Sequence, residues 1–421
     1  MAELHTIQRE TAMGPLAWRE NRFPSGAPEG IIRVNLSRRE YSRVAGRNMT
    51  SVPHLLHVFS GFGIGGAEVR TATLMNELGA RYRHSILSLN GDLQCMERLS
   101  PGLDVNVIAS PDLSGNLLNR LSKIRSLLNT VAPDVLMTRN WGTIEFALAN
   151  RFMRICRHIH HEEGFNHDES LRQIPRRIWT RRFAFGGVDA VFTPSRHLAE
   201  IARKTWWTPQ NKIAYFPNGI NCAPFQVAPA ADAIPGFKRK DGEIIVGTVA
   251  AIRKVKNLSR LVRVFAQASQ GLSARLVIVG AGDDLENVQA EAARCNIAAQ
   301  VLTPGYMSDP SKFVGLFDVF ALSSDSEQMP LSVVEAMASG LAVVATDVGD
   351  VKNMLAPANQ PFVARLDDET KFADQLQTLL KDPELRQKLG DENREKALVD
   401  FASAKMAETN DRLIKSILGK R

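Results

Sequence analysis

Two carboxylates stand out by their spacing. Glu327 and Glu335 are separated by seven residues in Ser326-Glu327-Gln328-Met329-Pro330-Leu331-Ser332-Val333-Val334-Glu335. Pro330 and Ser332 suit a helix start, which places Glu327 in the preceding loop and Glu335 inside the first turns. From there both side chains can face one ligand, with the backbone N–H groups of Gln328–Ser332 turned toward its phosphates. An ionised carboxylate accepts from two hydroxyls at once, which suits recognition of a ribose. A purely local alternative is that Glu335, three residues past Ser332, closes a capping box.

A second pattern is Gly61-Phe62-Gly63-Ile64-Gly65-Gly66, which matches GxGxxG through Gly61, Gly63 and Gly66. Glycines there allow a tight turn and let backbone N–H groups approach a phosphate at a helix N-terminus. A dinucleotide site also wants an acidic residue about 20 residues on, at the end of the second strand. Asp92 comes late and beyond Gly91. The loop is therefore read as facing a phosphate or an acceptor, with a plain strand-to-helix turn as the alternative. Asp283-Asp284, after Gly280-Ala281-Gly282, is read as acidic capping of the next helix rather than as a metal site.

These residues need elements to position them. Leu55–Ser60, His84–Asn90, Val105–Ser110, Val135–Arg139, His158–Glu162 and Ala190–Ser195 read as short buried strands separated by helical stretches such as Leu117–Val131. Pro217-Asn218-Gly219 is a turn, and the segment from about 220 to 242, with an Ala/Pro-rich stretch, reads as a linker. A second alternating set follows, with strands at Ile244–Val249, Arg275–Gly280, Val301–Leu302, Val319–Ser323 and Leu341–Thr346. Such alternation argues for doubly wound parallel sheets. Ligands of these sheets bind outside the carboxyl ends of the strands, so a cleft between two such domains is the expected site.

Composition bounds the rest. The chain has 421 residues, 44% of them hydrophobic and 23% charged, which excludes a wholly disordered or fibrous protein. The formal net charge of +7 suits an anionic partner. No apolar run reaches the roughly 18 residues that a membrane span needs. Cys95, Cys156, Cys222 and Cys295 lie far apart, which argues against a disulfide framework or a zinc site and fits a reducing cytosol. Residues 1–48 are rich in arginine, lack any period and lack the apolar core of a secretory signal. They read as a disordered basic extension, with Met49 as an alternative start. The stretch 171–185 interleaves Arg172, Arg176, Arg177, Arg181 and Arg182 with Ile174, Ile178, Trp179, Phe183 and Phe185. That pattern suits an interfacial helix on an anionic membrane, with Trp206-Trp207 on the same surface, or an ordinary amphipathic helix on a sheet. No nucleic-acid-binding signature accompanies these charges.

The Glu-x7-Glu run, followed by Ala336-Met337-Ala338-Ser339-Gly340-Leu341-Ala342-Val343-Val344-Ala345-Thr346, resembles the signature of family-4 retaining glycosyltransferases of the GT-B fold. Gly65-Gly66-Ala67-Glu68, Pro217-Asn218-Gly219 and Val246-Gly247-Thr248-Val249 resemble that family too. The similarity covers about residues 54–400 and points to the subgroup that builds bacterial exopolysaccharide and other surface glycans.

The resemblance implies two Rossmann-like domains facing a cleft: an acceptor domain at 50–222, a donor domain at 240–400 and a terminal helix at 401–421. It implies that Glu335 binds the nucleotide ribose and Glu327 the transferred sugar. Gln328, Met329, Pro330 and Leu331 would hold the sugar and diphosphate through backbone groups, and Tyr306 would meet the base. No metal or other cofactor is implied; the nucleoside-diphosphate-sugar is a co-substrate. Lys256 matches the family's lysine, whereas Ala251 stands where its arginine is usual, leaving Arg253 or Lys254 as substitutes. Register from Gly164 puts Glu163 where the family has a histidine, with His161 nearby, and Gly65 and Gly66 would close the cleft beneath the diphosphate. The acceptor is expected to be a glycan or lipid-linked glycan at the cytoplasmic face of the membrane. The departures at Ala251 and Glu163 keep two other readings in view: a non-catalytic sugar-nucleotide or glycan-binding partner, and a sugar-nucleotide epimerase of similar fold.

Overall fold

The computed structural model describes residues 52–165, 169 and 172–419. The basic extension at 1–48, Met49 and Leu171 lie outside the described residues.

The first sheet contains β1 (His54–Phe59), β2 (Arg83–Ser88), β3 (Val105–Ile108), β4 (Val135–Arg139), β5 (Arg157–His161), β6 (Ala190–Thr193) and β7 (Ile213–Tyr215). They lie in the order β3-β2-β1-β4-β5-β6-β7, every pair parallel. The second contains β8 (Ile244–Val249), β9 (Ala274–Val279), β10 (Val301–Gly305), β11 (Val319–Leu322), β12 (Ala342–Thr346) and β13 (Val363–Ala364). Their order is β10-β9-β8-β11-β12-β13, again parallel. Helices cover both faces, so β8, β9, β11 and β12 are mostly apolar, while β1 and β5 of the first sheet bury histidines among their apolar residues. The strand order reverses between β1 and β4 and again between β8 and β11. Each reversal opens a crevice at the carboxyl ends of the strands. The candidate site residues stand in the loops and helix starts that follow such ends, except His161, which is the last residue of β5.

Two short edge strands, β7 and β13, have no counterpart among the expected strands. They span three and two residues, too few to show a period. The expected acidic cap at Asp284 is corrected. Asp284 occupies the N-cap of Leu285–Arg294, but its carboxylate accepts from the Asn287 side-chain amide at 2.7 Å, not from a backbone N–H.

The end of the chain returns to the first sheet. Ile220 N donates to Phe401 O at 2.9 Å and Ser403 N to Ile220 O at 2.8 Å. A Cβ on Gly219 would meet Ala402 O at 2.7 Å, so only glycine permits this crossing. The helix Ser403–Leu418 then packs Met406, Ala407, Ile414 and Ile417 against Leu55, Leu74, Leu78 and Phe216. Tyr82 Oη donates to Asp411 Oδ1 at 2.8 Å across the same contact.

The two halves also meet beside the cleft. Asp350, at the end of the loop after β12, accepts from Arg196 N at 2.6 Å and His197 N at 3.2 Å. Its carboxylate thus satisfies two free N–H groups at the start of the helix Arg196–Lys204 in the other half. Asp350 N in turn donates to Gln328 O at 3.0 Å. Gly349, at φ 54°, lies so close that a Cβ would meet Glu327 O at 2.4 Å.

Candidate active site

Two adjoining cavities occupy the cleft, with volumes of about 620 and 590 Å³, and both are lined by Ala251, Arg253 and Lys256. The larger also takes Glu335, Tyr306 and Leu331 from the second half and Gly65, Gly66 and Arg98 from the first. The smaller takes Glu327, Gln328 and Ser326 from one side and Glu163, Gly164 and Phe165 from the other.

Glu327 follows β11 in the loop before the helix Leu331–Ala338. Its Oε1 receives Lys256 Nζ at 2.5 Å and Ser324 Oγ at 2.7 Å. Lys256 closes a single 3₁₀ turn after β8 and precedes Asn257, which sits at φ 43° and caps Leu258–Ala268. The cap fixes where the turn ends and so where the ammonium points. Arg253 is exposed at the mouth of both cavities. Gln328 Oε1 accepts from Ser195 Oγ at 3.3 Å. The Met329 side chain turns away into the core, where its sulfur accepts from Asn218 N at 3.0 Å.

Glu335 projects from its helix into the larger cavity. Pro330 holds the N-cap with no side-chain bond to the first turn, so the capping-box alternative is not what the helix uses. Burial pushes the Glu335 carboxyl up to about 7, against the pull of Arg98 and with a further push from Asp309. Tyr306 is 53% exposed beside it and lines the same cavity.

At the end of β5 the geometry is different in kind. Glu163 Oε1 lies 3.5 Å from Arg70 Nη1, 3.8 Å from Arg139 Nε and 3.7 Å from His161 Nδ1. Both arginines are buried and stack on rings, Arg70 over Phe192 at 4.2 Å and Arg139 over Phe59 at 4.3 Å. Burial lowers the Arg139 guanidinium to about 10, which Glu163 opposes. His161 stands behind Glu163 and lines neither cavity. Its pKa is held well below the usual imidazole value by burial and by both arginines, so it stays neutral. Glu163 Oε2 is buried with no hydrogen-bond partner among the described residues. Neither arginine was singled out from sequence; they lie 93 and 24 residues from Glu163 and belong to no local pattern.

The stretch after the cleft divides into inside and outside. The helix Pro175–Phe185 buries Arg181, whose guanidinium meets Glu162 Oε1 at 2.9 Å and Glu169 Oε2 at 3.0 Å. Trp206 is buried as well, its Nε1 donating to Gln173 Oε1 at 2.7 Å, which corrects its expected place on the surface. Trp179, Phe183 and Trp207 do lie outside, and Arg182 stacks over Trp207 at 3.5 Å and Trp179 at 4.5 Å. Among the described residues no group of His, Cys, Asp or Glu could hold a metal ion, and no helix is long and apolar enough to cross a membrane.

Comparison with known proteins agrees with this layout. Residues 64–223 match the family described as Glycosyltransferase Family 4, and residues 231–396 match Glycosyl transferases group 1. The chain is 28% identical over 178 residues to N-acetyl-alpha-D-glucosaminyl L-malate synthase of Bacillus anthracis, covering 42% of this chain and 47% of that one. The chain thus spans about half the length of that relative. It is 24% identical over 276 residues to UDP-Gal:alpha-D-GlcNAc-diphosphoundecaprenol alpha-1,3-galactosyltransferase of Escherichia coli, covering 62% and 69% of the two chains. The structure of Anabaena HepE in complex with UDP superposes with a TM-score of 0.72 at 16% identity, over 86% of this chain and all of that one, and shows the shared fold. With one half matching each family description and both sheets built as GT-B domains, the chain belongs to glycosyltransferase family 4.

Proposed function

We propose that this protein moves a sugar, with retention of anomeric configuration, from a nucleoside-diphosphate-sugar to a glycan or lipid-linked glycan acceptor in surface polysaccharide synthesis. The observation that carries the reading is the shared wall of the two cavities. Ala251, Arg253 and Lys256 border both, so donor diphosphate and acceptor approach the same cations from neighbouring chambers. In this reading residues 50–222 carry the acceptor and 240–400 the donor. Glu335 holds the ribose hydroxyls and Tyr306 the base. Glu327 holds the transferred sugar, with Gln328, Met329, Pro330 and Leu331 lending backbone groups. Gly65 and Gly66 close over the diphosphate.

The chemistry then follows from charge. The bond from the anomeric carbon to the diphosphate oxygen breaks, the bond to the acceptor oxygen forms on the same face, and the acceptor hydroxyl proton passes to the departing diphosphate oxygen. Negative charge grows on the leaving diphosphate, where Lys256 and Arg253 stabilise it in a cleft partly shielded from water. Glu163 has two guanidiniums beside one oxygen, and a turn of the carboxylate that brings its unpartnered Oε2 to the smaller chamber lets that oxygen accept from an acceptor hydroxyl. His161, neutral and 3.7 Å from Oε1, backs that carboxylate from inside the sheet.

The test is release of nucleoside diphosphate from UDP-, GDP- and ADP-sugars in the presence of membrane-extracted acceptors. Release from one donor class is expected, with loss of ~100-fold or more in Glu335→Ala. Saturable donor binding without release would replace this reading with the binding-partner one, for which Ala251 is the reason. Isomerised donor without acceptor would mark an epimerase. Donor affinity is also expected to rise as pH passes upward through about 7, because only the ionised Glu335 accepts from two hydroxyls. The groups around it are Arg98, Asp309, Tyr306, Arg253 and Lys256. Glu68 is also raised to about 7, chiefly by burial, so the diagnostic is the flattening of the profile in Glu335→Gln.

The acceptor half also carries a surface suited to the inner face of an anionic membrane. Trp179 and Trp207 are 60% and 61% exposed, and Trp207 is held at φ 55°, a costly conformation for a bulky side chain. Rings at the interface with arginines beside them match an anionic lipid surface. Combining Trp179→Ala with Trp207→Ala is expected to weaken co-sedimentation with phosphatidylglycerol vesicles by up to several hundredfold, since burying such side chains is worth ~2 kcal/mol each, ~4 kcal/mol together. Unchanged binding would end the membrane assignment.

A further inference from the structure

The cations of the larger cavity do not all come from the donor half. Ala251 brings no charge to that side, and Lys256 spends one of its three donors on Glu327 at 2.5 Å. Arg98 reaches the same cavity from the opposite half. It ends the 3₁₀ segment Gln94–Arg98 that follows β2. Three contacts hold that segment. Cys95 is buried and its N–H donates to Phe62 O at 2.9 Å. Asn76 Nδ2 donates to Arg98 O at 2.9 Å, and Ser100 N donates to Asn76 Oδ1 at 2.8 Å. The backbone is thus anchored to the helix Gly66–Leu78, and only the side chain spans the cleft.

Its guanidinium donates through Nη2 to the carbonyl of Ser308, in the loop after β10. Ser308, Tyr306 and Glu335 line the same chamber. The charge is felt there, because Arg98 opposes the upward push of burial on the Glu335 carboxyl. A guanidinium has five donors in a planar fork, so one bond to Ser308 leaves others free for a phosphate.

We infer that Arg98 is a donor-binding residue supplied by the first half of the chain, which grips the phosphate next to the ribose and takes over the charge that Ala251 does not provide. The inference rests on the donor reading of the Glu335 cavity. It deepens that reading by making the nucleoside-diphosphate site a composite of both halves. Arg98 already spans the cleft to Ser308, and its remaining donors make a charge-assisted bond to the nucleotide that completes the phosphate site.

Calorimetric titration with UDP, GDP, ADP and the corresponding free nucleosides separates the possibilities. For the nucleotide that the wild type binds, Arg98→Ala is expected to weaken diphosphate binding by ~10- to 100-fold, the usual range for a hydrogen bond to a charged group. Binding of the matching nucleoside should be unchanged, and Arg98→Lys should recover part of the loss. Arg98 is only partly buried at a cavity edge, and an unchanged thermal midpoint in Arg98→Ala confirms the fold. An equal loss for diphosphate and nucleoside would overturn the phosphate role and leave a structural one. Unchanged diphosphate affinity in Arg98→Ala, with affinity lost in Glu335→Ala, would overturn this inference alone. Unchanged affinity in Glu335→Ala would overturn the donor reading beneath it.

Discussion

Replacing Lys256 with alanine is expected to lower kcat by about 10²–10³-fold, the cost of removing one well-placed group that stabilises developing negative charge. The effect should fall mainly on kcat, because the charge grows as the diphosphate leaves. The side chain is preorganised for this: its ammonium is held at 2.5 Å from Glu327 Oε1, and the left-handed Asn257 ends its turn. The same contact offers a rival explanation, in which Lys256 serves only to place Glu327. The double variant Lys256→Ala/Glu327→Ala decides between them. If Lys256 acts only through Glu327, the double variant is no slower than Glu327→Ala. If it acts on the leaving group, a further loss appears. A single variant within about threefold of the wild type, less than 1 kcal/mol in the barrier, would remove Lys256 from the mechanism.

Arg181→Ala is expected to cost about 3–5 kcal/mol of folding stability, read as a fall in the urea midpoint with little change in slope. The guanidinium is buried, as are the two carboxylates it serves, Glu162 and Glu169. Removing it leaves two acidic side chains without their main countercharge in a dry site. Arg177 still holds Glu169 at 3.0 Å and His160 still meets Glu162 Oε2 at 3.0 Å, so the loss is partial charge compensation and not all of it. Arg181 also lies over the rings of Trp206 and Trp141 at 5.1 and 5.3 Å, and those contacts disappear as well. Arg181→Lys keeps the charge but not the fork, and is expected to fall between the two. A midpoint unchanged in Arg181→Ala would mean that Glu162 and Glu169 find water or protonate without cost.

Much of the fold is written in local pattern. Runs of three or four apolar residues mark β4, β6, β8, β9, β11 and β12, because strands covered on both faces are mainly apolar, whereas β1, β2 and β5 interleave buried histidines. Glu327 and Glu335 were legible for a related reason: their spacing around a helix start places them, whereas Lys256 came into view only through the resemblance to family-4 glycosyltransferases. What stayed hidden depends on distance along the chain. Arg70 and Arg139 converge on Glu163 from β1's following helix and from β4, and nothing near Glu163 announces them. Arg98 reads as one more surface arginine until the second half closes opposite it. Trp206 and Trp207 are neighbours of one type, yet one is buried and the other exposed, because the left-handed backbone at Trp207 turns its ring outward.

The helix Ser403–Leu418 has a consequence for the order of synthesis. The face of β1 and its following helix that holds Leu55, Leu74 and Leu78 is covered by Met406, Ile414 and Ile417. The partners of that face leave the ribosome only after the whole second sheet has been made. During translation the first sheet can pair its strands, but one apolar side stays open until the last helix arrives. Domains commonly fold from the N-terminus as they emerge. Here the half that is made before the second sheet is sealed by a helix made after it, and the sixteen residues of Ser403–Leu418 serve as its lock.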